Sequence, residues 1–94
     1  MNAQAHAREI RPSAHVVARA VGESAVLVHL QTNRIYELNA TGSRIWELVE
    51  SGASEPEVLQ RLSEEFAVST EVAQRDFKAL LADLEREGLL EPAP

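Results

Sequence analysis

The side chains best equipped for chemistry in this 94-residue sequence are three histidines and fifteen carboxylates. Histidine can ligate a metal or move a proton, and paired carboxylates can do acid–base work. Spacing argues against both. His6 lies in a polar N-terminal stretch, while His15 and His29 fall in two different predicted strands. No metal-ligand spacing links them, so they read as surface or half-buried histidines. Glu64-Glu65 and the acids between 83 and 87 read as solvated helix faces. The nucleophile, zinc, phosphate-loop and dinucleotide motifs G-x-S-x-G, H-E-x-x-H, P-loop and G-x-G-x-x-G do not occur. The absence of cysteine removes disulfides and thiolate metal sites. The sequence therefore predicts no catalytic residue, no metal and no cofactor, and a chain that is not an enzyme.

The sequence concentrates its distinctive residues at a corner instead. In NRIYELNATGSRIW, residues 33–46, the only Tyr and the only Trp flank a predicted strand-to-helix junction. Arg34 to Leu38 has strand composition. Asn39 can cap the helix that follows, and Gly42 lies in its first turn.

Composition limits the partners. The length suits one domain with a modest core. Net charge is -6, so phosphate backbones and anionic lipid are repelled, which disfavours nucleic acid and membrane as main partners. Residues 1–12 lack the apolar run of a signal peptide, and no stretch approaches the ~18 apolar residues of a membrane span. A soluble cytoplasmic protein is the default expectation.

The elements that must position the corner follow from local pattern. Residues 1–12 are expected to form a flexible N-terminal tail ending at Pro12, with the domain over 13–91. His15 to Ala20, Ala25 to Gln31 and Arg34 to Leu38 are predicted strands joined by Gly22-Glu23-Ser24 and Thr32-Asn33 turns, hence an antiparallel meander. Three helices follow. The first starts at Asn39 and ends at Ser51-Gly52. The second has a capping box from Ser54 to Glu57, with Pro56 in its first turn and an apolar stripe of Val58, Leu59, Leu62 and Phe66. The third is capped by Ser69 or Thr70 and closed by Gly88. Its stripe is Ala73, Phe77, Leu80, Leu81 and Leu84. Strands grouped before helices predict an α+β domain, a winged-helix-like three-stranded antiparallel sheet covered by three helices.

A winged helix can bind DNA through its third helix. Here that helix carries Glu71, Asp76, Asp83, Glu85 and Glu87 against Arg75, Lys78 and Arg86. Such a face suits phosphate poorly, although a DNA-binding regulator remains the alternative reading. The helix has a second feature. Stepping 100° per residue from Phe77, Val72 falls at about 220° and Ala79 at about 200°, away from the core. Asp76 and Asp83 lie between these and Leu80 at the stripe's edge. This flank is either an ordinary helix face or the wall of a shallow groove, with Arg75 available to an incoming acid.

The motifs resemble the PqqD-like family. LNATGSRIWEL (38–48) resembles its "LN-x-T-G-x-x-I-W-x-L" signature, and RDFKALLADLEREGLL (75–90) its "D-x-x-x-x-L-x-x-L-x-x-x-G-L-L" close. SAVLVHLQTNRIYELN is similar to the preceding hairpin. Asn33 stands where Gly is more usual, and His29-Leu30-Gln31 where an Asp is frequent. The resemblance implies a discrete RiPP recognition element, closest to the lasso-peptide type. Such a domain binds the leader region of a ribosomally made precursor peptide as a strand added to the third strand, against the third helix. It presents the leader to a leader protease or a radical SAM enzyme and does no chemistry itself. The implied peptide-binding residues are Arg34, Ile35, Tyr36, Glu37 and Leu38 with Val72, Arg75, Asp76, Ala79, Leu80 and Asp83.

Energetics sharpen that expectation. Ordering a leader costs ~2–5 kcal/mol, and micromolar affinity needs roughly -8 kcal/mol net. Backbone hydrogen bonds at ~1 kcal/mol each do not cover both. One or two apolar leader side chains must be buried, and an acid is expected to reach Arg34 or Arg75. The same bare strand edge can also pair with a second copy, giving a homodimer. A partner that only tethers enzymes, without touching peptide, is the third reading.

Overall fold

The computed structural model describes residues 10–91. Three strands, β1 (Val16–Val21), β2 (Ser24–His29) and β3 (Ile35–Leu38), precede three helices, α1 (Ala40–Glu50), α2 (Glu55–Phe66) and α3 (Thr70–Arg86). The sheet is antiparallel in the order β1-β2-β3. The expected α+β, winged-helix-like fold is the one observed.

Local chemistry explains where the elements stop. Asn39 accepts from the Gly42 amide at 2.8 Å, so β3 passes into α1 across a single capping residue. Ser54 and Glu57 cap each other reciprocally at the start of α2, and Ser69, not Thr70, caps α3. Asn33 takes a left-handed φ of 61° in the β2–β3 loop, a conformation Asn tolerates. That loop is wider than the two-residue turn expected. β2 ends at His29 because its Nδ1 accepts from the Gln31 amide, and the Asn33 amide bonds the His29 carbonyl. Gln31 is thereby turned out of the strand, while the Leu30 amide still donates to the His15 carbonyl at 2.8 Å.

The inward face of the sheet presents Ala25, Leu27, His29 and Leu38, all buried. α1 packs on this face, and Ile45, Trp46 and Val49 of α1, Val58 and Leu62 of α2, and Ala73, Phe77, Leu81 and Leu84 of α3 join it in one core. Leu59, Phe66 and Leu80 of the predicted stripes are only partly buried. Gly88 has the left-handed φ that ends α3 and turns Leu89 and Leu90 back into the core.

The tail expected through Pro12 ends earlier. The Ser13 amide bonds the Leu89 carbonyl at 3.0 Å and the Glu91 amide bonds the Arg11 carbonyl at 2.8 Å, bracketing a Pro12–Leu90 bridge. Residues 10–12 thus belong to the folded body. The pairing joins residues nearly a whole chain apart, and no local pattern announces it. The remainder of the expected tail, with His6, lies outside the described residues.

Candidate peptide-binding groove

β3 is an edge strand, and its hydrogen-bond phase can be fixed. The His29 amide donates to the Arg34 carbonyl at 2.9 Å. Antiparallel pairs alternate between bonded and non-bonded positions. With Leu27 opposite Tyr36 and Ala25 opposite Leu38, the backbone groups of Tyr36 and Leu38 turn toward β2. Those of Ile35 and Glu37 turn outward, and no described residue bonds them.

Side chains of β3 tie it to α3. The Tyr36 hydroxyl donates to Asp83 Oδ2 at 3.0 Å, and Arg34 Nη1 donates to Glu87 Oε1 at 2.6 Å. Strand residues two apart are ~6.8 Å along the chain. Helix residues four apart are ~6 Å along the axis. The two links therefore run side by side and hold β3 at a fixed distance from α3. They leave the outward main-chain groups of Ile35 and Glu37 uncapped.

A cavity of about 310 Å³ opens where β3 passes into α1. Asn39, Thr41, Gly42 and Ile45 form one wall, and Asp76, Ala79, Leu80 and Asp83 of α3 form the other. Gly42 matters here because a Cβ would stand 3.2 Å from Leu38 Cδ2 and 3.3 Å from Asn39 Oδ1. Hydrogen at this position lets the helix start close to the strand.

The structure thus gathers Asp76, Ala79, Leu80 and Asp83 from the predicted flank. Val72 and Arg75 do not line this cavity. The Arg75 side chain is exposed, with Asp76 Oδ1 3.9 Å away. The α1 wall was not anticipated from sequence. Arg34, expected to receive an acid from the peptide, already has one in Glu87, and the ionisable groups of the cavity wall are both carboxylates.

Asp83 is the electrostatic centre of the wall. The Arg86 guanidinium, and then the Tyr36 hydroxyl, hold its carboxyl below the ordinary value of 3.8. Burial, and then the Asp83 carboxylate, push the Tyr36 phenol up. A depressed carboxyl contributes stability above its unfolded pKa and loses it as pH falls through the folded value. Acidification below pH 3.8 should therefore loosen the β3–α3 link. Thermal unfolding of Tyr36→Phe should show a smaller loss across that window than the parent. Identical pH profiles would show that the link contributes nothing.

The family described as "Coenzyme PQQ synthesis protein D (PqqD)" matches residues 24–90, from β2 through the turn after α3. This chain belongs to the PqqD family. The resemblance read from the corner and the C-terminal motif is borne out. Two solved structures are similar to this PqqD-family chain. One, described as "TbiB1 in Complex with the TbiA(beta) Leader Peptide", is 34% identical with a TM-score of 0.83, covering 89% of this chain and 98% of its own. The other, "Lasso peptide synthetase B1 complexed with the leader peptide", is 27% identical with a TM-score of 0.81, covering 89% and 99%. Among curated proteins no match is found. The winged-helix DNA-binding alternative is not favoured, consistent with the acidic surface of α3. No helix among the described residues is long and apolar enough to cross a membrane.

Proposed function

We propose that this PqqD-family protein is a RiPP recognition element of the lasso-peptide type. It captures the leader region of a ribosomally made precursor as a fourth strand on β3, resting against α3. It then delivers the precursor to a maturation enzyme, a leader protease in the first instance and a radical SAM enzyme in the second. The protein acts in the cytoplasm, where precursors are synthesised, and does no chemistry itself. The binding unit is the expected domain over 13–91 together with residues 10–12, which the Pro12–Leu90 bridge ties to it. The observation that carries the reading is the free β3 edge beside the α1–α3 cavity, in a chain whose structural relatives are leader-peptide complexes.

Each part has a defined role. The outward amides and carbonyls of Ile35 and Glu37 bond the leader main chain and set its register. Arg34, just before β3, and Tyr36 and Leu38 within it hold the strand at its angle. Ala79 and Leu80 receive an apolar leader side chain between Asp76 and Asp83, and Val72 and Arg75 extend the same flank toward the start of α3. Because the sheet and helices already fix the edge, binding orders only the peptide.

Titration of isotopically labelled protein with a synthetic leader from the adjacent precursor gene tests this. Amide shifts should concentrate in residues 35–38, the first turn of α1 and residues 76–83. Shifts confined to α2 or to β1 would reject the groove. Sedimentation of the free protein distinguishes capture of a peptide from pairing of two copies through the same edge.

A further inference from the structure

The face of the sheet turned away from the helices carries a pattern that backbone capture does not use. The register places Val17 opposite Val28 and Val28 opposite Ile35, giving a β-branched row across all three strands. It ends at the open edge, where Ile35 is 66% exposed. Two residues along, the next row is Arg19, Val26 and Glu37. Glu37 is exposed and makes no ion pair with any described residue. Its neighbour on β2 is Val26, so the place beside it for a cation on this face is the one an added strand would occupy. The nearby arginines of the β3–α3 link are already committed, Arg34 to Glu87 and Arg86 to Asp83.

We propose that β3 sorts incoming peptides on this outer face. Ile35 selects an apolar side chain, and Glu37 selects a Lys or Arg two positions away, while the residue between them turns into the groove. The ligand class is an extended peptide of pattern apolar-x-basic or basic-x-apolar, according to strand direction. This rests on the leader-capture reading and adds sequence selectivity to it. Side chains repeat every two residues on one face of a strand, so the spacing holds for parallel and antiparallel addition alike. Same-face neighbours on adjacent strands have Cβ atoms ~5 Å apart, and apolar or opposite-charge pairs there are worth roughly 1.4- to 5-fold each in affinity.

The test uses a displayed library of random twelve-residue peptides, panned on the full chain and on its Glu37→Lys variant. Selected peptides are then synthesised, mapped by amide shifts, and measured for affinity at low salt. The parent should enrich a basic residue two positions from an apolar one, and Glu37→Lys should enrich an acid at the basic position. Changing the basic residue of a parent-selected peptide to Glu should weaken parent binding about threefold and strengthen binding to the variant. Peptides that perturb the β3 amides but carry the same pattern in both selections would overturn the sorting proposal and leave leader capture standing. Failure of any selected peptide to perturb β3 would overturn both. Glu37 is exposed, and circular dichroism of Glu37→Lys checks that the fold is kept.

Discussion

Ala79→Arg is expected to weaken leader binding by roughly 10- to 150-fold while leaving the melting temperature near that of the parent. Ala79 lines the α1–α3 cavity and is exposed in the free protein. An Arg side chain there fills the space that the proposed capture assigns to an apolar leader residue. Burying such a residue contributes ~1.5–3 kcal/mol, which converts to the stated loss. The helix tolerates the change, because Arg is a good helix former and Asp76 and Asp83 stand on the same wall. Gln74→Arg, on the opposite flank of α3, serves as the control and should bind normally. Calorimetric titration of both variants decides the matter. Unchanged affinity for Ala79→Arg would place the leader elsewhere.

Trp46→Ala should have the largest effect on stability. Trp46 is 2% exposed and anchors the end of the corner that begins at β3. Replacing a buried Trp by Ala typically costs ~3–5 kcal/mol, against a total of about 5–15 kcal/mol for a domain. Chemical denaturation should show the midpoint falling steeply, and leader binding should fail with it because the β3 edge loses its support. Trp46→Phe should cost much less. The indole Nε1 is buried without an acceptor among the described residues, so Phe gives up volume but no hydrogen bond. A Trp46→Phe loss as large as that of Trp46→Ala would mean that the indole nitrogen has a role the packing does not reveal.

What the sequence disclosed and what it withheld follow a physical division. Asn39, Ser54 and Ser69 were legible as caps because a cap involves residues three apart. The α3 flank was legible because helical periodicity places Asp76, Ala79 and Asp83 together without reference to anything else. The opposing wall of the cavity, Thr41, Gly42 and Ile45, was not, since it depends on how α1 crosses α3. The one available signal was Gly42, whose missing side chain allows the close approach. Arg34–Glu87 and Tyr36–Asp83 join residues 53 and 47 positions apart, so pairing rules within an element could not find them. Arg34 was therefore read as open to a leader acid. The end of β2 was placed two residues late because His29 bonds the loop backbone through Nδ1, a choice its strand composition does not encode. The left-handed Ala67 that closes α2 was invisible for a related reason: Gly, not Ala, is the usual signal there.

The bridge between Pro12 and Leu90 bears on how such a unit can be transplanted. Paired residues across a bridge have Cα atoms about 5 Å apart, so the polypeptide enters and leaves the described body at one spot. The entering segment leads into β1, the sheet border opposite β3. Residues 10–91 could therefore be spliced into a surface loop of a host enzyme with both junctions side by side, at the end of the domain where Glu87 meets Arg34.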